Sequence, residues 1–160
     1  MLKRRSVVTA LTSLGIASGL GGLPLVAAAK RRLPWRNWSG SQQCLPEARL
    51  APASVAELQE LVVNTAGIIR PVGSGHSFSA LVPTEGTLVS LSRMGGVGEV
   101  DSDTLQATIG GGTRLGDIGQ PLQDAGQALV NMPDIDEQSL AGSLATATHG
   151  TGAGLGCMST

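Results

Sequence analysis

The sequence contains no tyrosine, one phenylalanine and two tryptophans in 160 residues, so a core has to be built from Leu, Val, Ile and Ala. There are two histidines and two cysteines. Cys44 and Cys157 stand far apart, and no local spacing marks a metal site or redox motif, so they read as unpaired structural cysteines. Positive charge is scarce outside the start of the chain: Lys3, Arg4, Arg5, Lys30, Arg31, Arg32 and Arg36 all fall there, which leaves a slightly acidic body and argues against a nucleic-acid partner. Several familiar motifs are missing. The stretches starting at Gly73 and Gly150 have Phe78 and Leu155 where a Gly-x-Gly-x-x-Gly fingerprint needs its third glycine, so a classical Rossmann-type dinucleotide domain is not supported. There is no Walker lysine, no Gly-x-Ser-x-Gly elbow and no His-Glu-x-x-His zinc helix. What is abundant is glycine, 23 residues of it, to be placed in turns and close backbone contacts. The length allows one domain with a sizeable core, and hardly two.

Residues 1–29 read as an address. A basic start (Lys3-Arg4-Arg5) precedes a weakly apolar run from Val7 to Val26, and Ala27-Ala28-Ala29 offers a small-residue cleavage site. The arginine pair followed by Ser6-Val7-Val8 resembles a twin-arginine signal, a route that delivers folded, cofactor-bearing proteins to the periplasm or outside the cell. The competing reading is an uncleaved anchor and membrane association, weakened as a spanning helix by Gly15, Gly19, Gly21, Gly22 and Pro24.

Beyond the signal, residues 30–160 form the domain. Arg31 to Gly40 is a loop or short extended lead-in carrying Trp35 and Trp38, both expected to plug the core. Ser54 with Glu57 three residues on is a capping box. It opens a helix with Leu58, Leu61 and Val62 as its apolar stripe and Gly67 as its stop. A short buried strand is expected at 68–72, a second strand at 87–91, and a third at 104–109, ending in Gly110-Gly111-Gly112. Thr113 caps a second helix through Leu115, Ile118 and Leu122 to Asp124, closed by Gly126 and shortened by Pro121. Ala128-Leu129-Val130 returns as a strand, and 134–152 is a long polar, glycine-rich loop. The order predicts an α+β or α/β layer arrangement.

The two histidines are each framed by small residues: Gly73-Ser74-Gly75-His76-Ser77-Phe78, and Ala145-Thr146-Ala147-Thr148-His149-Gly150-Thr151-Gly152. Read alone, His76 is a loop histidine and His149 a structural one. Together, the loops expose backbone N–H groups and hydroxyls suited to a pyrophosphate, and an imidazole nitrogen can bond to the electrophilic ring methyl of a flavin.

These two stretches, with Gly86-Thr87-Leu88, Asn131-Met132-Pro133-Asp134-Ile135-Asp136 and Ser139-Leu140-Ala141-Gly142-Ser143-Leu144 between them, resemble the flavin domain of the sugar-1,4-lactone oxidases. That family lies in the vanillyl-alcohol-oxidase-type FAD superfamily, and the resemblance runs from about Trp35 to the last residue. It implies an α+β FAD-binding domain of two subdomains, here the first and the start of the second. It implies FAD contacts from Pro71, Val72, Gly73, Ser74, Gly75, His76 and Ser77, and from Asp134, Ser139, Gly142, Thr146, Ala147, Thr148 and His149. His76 falls where several relatives attach the flavin covalently. The family continues into a substrate domain with a His-Trp-x-Lys motif that this sequence does not reach, so no catalytic residue is assigned. The expected activity is oxidation of a CH–OH group of a sugar lactone or polyol, with oxygen or another acceptor taking the electrons. The rival readings are a truncated flavin-binding remnant without turnover, and an exported interaction module.

Overall fold

The computed structural model describes residues 32–160, so the signal sequence expected at 1–29 lies outside the described residues. Strand β1 (Trp35–Arg36) pairs antiparallel with β2 (Gln43–Cys44). Strands β3 (Ala48–Leu50), β4 (Ile69–Val72) and β5 (Thr87–Ser90) form a parallel sheet with β5 in the middle. The middle position explains why Thr87, Leu88 and Val89 are all buried, whereas β3 and β4 have one free edge each.

Helix α1 (Val55–Asn64) connects β3 to β4, as parallel strands require a crossover. Its capping box is real but shifted. The Ser54 hydroxyl accepts from Glu57 N–H at 3.1 Å, while the Glu57 carboxylate accepts from Ala53 N–H at 2.8 Å, one residue earlier than the usual partner. Leu58 and Leu61 are half-buried, but Val62 is exposed, so the inward stripe is narrower than expected. Strand β4 is likewise not buried. Arg70 and Pro71 are exposed on the edge, the place in a sheet where a residue without an N–H is tolerated.

Strands β6 (Val97–Asp101) and β7 (Gln106–Ile109) make an antiparallel hairpin with an irregularity between Val97 and Val100. A short 3-10 turn (Leu115–Asp117) runs into α2 (Gly119–Asp124). Leu115, Ile118 and Leu122 are buried there, packed by Val97, Ala107 and Ile109 of the hairpin and by Leu129, Leu140 and Met158. Burying each such side chain is worth about 2 kcal/mol.

Four expectations are corrected. Thr113 does not cap the helix. It is buried, and its hydroxyl donates to Gly110 C=O at 2.6 Å and accepts from Gly96 N–H at 2.8 Å, bracing two loops together. Residues 128–130 are not a strand; Leu129 turns into the core while Val130 stays 87 % exposed. Residues 134–152 are not all loop, because α3 (Leu140–Ala145) forms within them. Trp35 is buried as expected, but Trp38 is 67 % exposed. Cys44 and Cys157 are both free.

Candidate functional site

Strand β4 delivers the chain directly into residues 73–77. Gly75 sits at φ +75°, a left-handed conformation that side-chain-bearing residues adopt at a cost. Among the described residues, no acceptor meets the main-chain N–H of Gly73, Ser74, Gly75, His76 or Ser77. Gly73 and Ser74 are exposed and the other three half-buried, so water can satisfy these donors until an anion replaces it. Five consecutive unpartnered N–H groups around a left-handed glycine have the chemistry of an anion-binding concavity.

The loop is seated on the start of α3. A methyl group on Gly73 would overlap the Ser139 side chain and stand 3.6 Å from the Gly142 Cα, so only glycine lets the two segments come this close. Ser139, buried, caps α3 by accepting from Gly142 N–H at 3.3 Å. The preceding helical donors are also engaged: Leu140 N–H reaches Thr113 C=O at 2.8 Å and Ala141 N–H reaches Gly111 C=O at 3.0 Å. The opening of α3 is thus closed off by protein acceptors.

Further along, the Thr146 hydroxyl donates to Gly142 C=O at 3.0 Å, and the Thr148 hydroxyl accepts from Gln138 Nε2 at 3.2 Å. Ala147 stands at φ +52°, an arrangement that costs a residue with a Cβ about 1–2 kcal/mol. Met158 N–H donates to Thr148 C=O at 2.8 Å, folding the last residues back onto this turn. At His149, Gly150, Thr151 and Gly152, main-chain N–H groups again lack an acceptor among the described residues. The exposed His149 ring contacts its neighbour's carbonyl, Nδ1 to Gly150 oxygen, at 2.8 Å. Asp134 is exposed and its carboxylate has no hydrogen bond among the described residues. Arg114 and Glu137 pair at 2.9 Å near the same segment, but both side chains are more than half exposed and the pair contributes little.

The structure therefore brings Gly73 against Ser139 and Gly142, and places Thr146 to Thr148 in the turn that follows α3. It adds two residues that the sequence did not single out for the site. Asn37, buried, donates from Nδ2 to Ser77 C=O at 3.1 Å, and its Oδ1 accepts from Gln42 N–H at 3.0 Å. Trp38 donates its main-chain N–H to Gly75 C=O at 2.9 Å, and its indole stacks on His76 with ring centres 5.5 Å apart and planes 17° from parallel. A signal was available: Trp38 sits among Asn37, Ser39 and Gly40 rather than in an apolar run, which is the setting of a surface aromatic.

Residues 46–158 match a family described as FAD binding domain. Over 121 residues the chain is 40% identical to the L-gulono-1,4-lactone dehydrogenase of Mycobacterium tuberculosis, covering 74% of this chain and 28% of that protein. Over 135 residues it is 37% identical to a putative D-arabinono-1,4-lactone oxidase of Neurospora crassa, covering 82% of this chain and 24% of that one. Among solved structures it resembles a solvent-stable cholesterol oxidase with a TM-score of 0.63 at 22% identity, over 75% of this chain and 24% of that chain. It also resembles an alkyldihydroxyacetonephosphate synthase with a TM-score of 0.57 at 26% identity, over 64% of this chain and 21% of that chain. The chain thus spans less than a third of the length of the curated relatives it matches. The shared architecture is the vanillyl-alcohol-oxidase-type α+β fold. A family match over residues 46–158, on a fold that presents unpartnered main-chain donors after β4, leads to one conclusion: the chain belongs to the FAD binding domain family.

Proposed function

We propose that this chain is the flavin-holding part of an oxidoreductase acting on a CH–OH group of a sugar-1,4-lactone or polyol, with oxygen or another acceptor taking the electrons. The observation that carries the reading is the run of unpartnered N–H groups at residues 73–77, seated on Ser139 and Gly142. These donors suit the diphosphate of FAD, and the second group of unpartnered N–H groups, at residues 149–152, offers it a further contact surface. The names of the relatives, one a lactone dehydrogenase and one a putative lactone oxidase, support the substrate class and leave both acceptor types in play. When bound, the flavin supplies hydride acceptance from the CH–OH carbon; the protein supplies binding, orientation and electrostatics. In this reading Ser139 keeps α3 in register so that Gly73 can approach it, and Gly75 gives the loop its shape. His76 would be the point of covalent attachment: an imidazole nitrogen would bond to the flavin ring methyl carbon as the imidazole N–H and one methyl C–H each give up a proton, with the electron pair passing to the flavin and then to oxygen or another acceptor. The bond would keep the cofactor with a protein working outside the cytoplasm. The arginine pair near the start supports export to the periplasm or beyond, with membrane anchoring as the competing reading.

The test is acid precipitation of the full chain after loading with FAD. Flavin is expected in the protein pellet of the wild type and in the supernatant of His76→Ala. Flavin wholly in the supernatant of well-loaded wild type overturns attachment. Failure of the wild type to take up FAD overturns the flavin reading itself.

A further inference from the structure

We propose that Trp38 is the positioning residue of His76, with its indole holding the imidazole in one orientation at the anion-binding loop. Three contacts from two adjacent residues converge on this histidine. The Trp38 indole lies on the ring, 5.5 Å between centres and 17° from parallel. The Trp38 N–H holds the carbonyl before it, on Gly75, at 2.9 Å. The Asn37 side chain holds the carbonyl after it, on Ser77, at 3.1 Å. Trp35 supports the same point from the core, 3.5 Å from where a Cβ on Gly75 would stand.

A loop histidine without such contacts turns freely about both side-chain torsions, and a reaction at one ring nitrogen then proceeds only in the fraction of time the ring faces its partner. An aromatic pair in stacked geometry removes most of that freedom. This also accounts for Trp38 itself. A large aromatic left 67 % exposed buries little against the core, and its organised contact is with His76. The neighbouring main-chain bonds fix the loop, whereas the stack fixes the ring, so the two roles separate under mutation at position 38. The main-chain N–H survives any replacement there except proline.

The inference rests on the flavin reading for its purpose, since a fixed imidazole matters only to a ligand at this loop. The experiment therefore has two arms, both on the full chain produced under flavin limitation, comparing wild type, Trp38→Leu and Trp38→Phe. In the first arm diethyl pyrocarbonate modifies histidines, and peptide mass spectrometry gives the rate at His76 relative to His149. His149 is exposed and unstacked, so it serves as the reference for reagent activity, and a cooperative thermal melt like that of wild type certifies that the variant is folded. Trp38→Leu is expected to modify His76 about five-fold faster than wild type, with Trp38→Phe within about two-fold of wild type because it keeps a stacking ring. In the second arm FAD is added and acid-stable flavin is followed with time. Trp38→Leu is expected to attach it about five-fold more slowly at equal FAD occupancy, with Trp38→Phe close to wild type. A Leu variant indistinguishable from wild type in the first arm, or a Phe variant as reactive as the Leu variant, overturns the proposal. If the first arm behaves as expected but even wild type never holds acid-stable flavin, Trp38 still positions His76, and it is covalent attachment that fails.

Discussion

The two small-residue stretches that meet at Gly73 and Ser139 are alike in composition and opposite in use. Residues 73–77 leave every main-chain N–H without a partner among the described residues. Residues 139–148 engage theirs almost throughout, in the Ser139 cap, the bonds to Thr113 and Gly111, and the turn that follows α3. Glycine, serine and threonine are equally suited to both tasks, so composition does not separate a binding loop from the scaffold beneath it. The hydrogen-bond partners do.

The strongest way to break this contrast is at Gly75. A valine there would be forced toward φ +75°, a strain of about 2 kcal/mol, so FAD affinity should fall about 30-fold. Titration of flavin fluorescence with the full chain measures this, and unchanged affinity would remove the first loop from the binding role. Ser139→Ala addresses the scaffold side. Loss of the cap should cost about 1 kcal/mol and lower Tm by about 4 °C, with FAD affinity reduced less than in the Gly75 variant. If Ser139→Ala instead cost more affinity than Gly75→Val while leaving Tm unchanged, the assignment of roles would be reversed.

The β6–β7 hairpin sharpens the comparison as a region that should affect stability alone. Leu105 sits at φ +55° and is 71 % exposed, so Leu105→Asn, which tolerates that conformation better, should stabilise by about 0.5–1 kcal/mol in a denaturant melt. FAD affinity should not move. The smallest effect is expected at Asp101, whose carboxyl the Thr104 hydroxyl, then the N–H groups of Thr104 and Asp103, hold below the ordinary carboxylate value. Because the folded-state value is the depressed one, the stabilisation is present above the unfolded-state value and disappears as pH falls through the folded one. The stability gap between wild type and Asp101→Asn should thus be constant at neutral pH and close in acid. A gap that widens in acid would refute the assignment.

Where chemistry is local, the sequence foretold the structure. The Ser54–Glu57 cap, the central strand at 87–90 and the glycine-framed loop after β4 all depend on residues a few positions apart. What escaped depends on distant partners. Gly95, Gly96 and Gly98 hide the first strand of the hairpin, which exists because Gln106–Ile109 pairs with it. Helix α3 has no apolar stripe to announce it. Its small residues serve the close approach of Gly73, which no spacing within 139–145 could reveal. The apolar triplet 128–130 looked like a strand, but Leu129 is drawn to the Leu115, Ile118 and Leu122 cluster. Thr113 looked like a cap because its hydroxyl precedes a helix, whereas its partners lie at Gly96 and Gly110.

The scarcity of aromatic residues has an optical consequence. With no tyrosine and two tryptophans, near-ultraviolet emission of these 160 residues arises from two neighbouring positions in opposite surroundings. Trp35, 8 % exposed, emits from an apolar setting, while Trp38 emits from water at the lip of the loop. Their colours differ for that reason. An absorbing ligand settling beside His76 would dim the redder component first, whereas unfolding would shift the bluer one. One spectrum of this segment thus distinguishes the arrival of a chromophore from the loss of the fold.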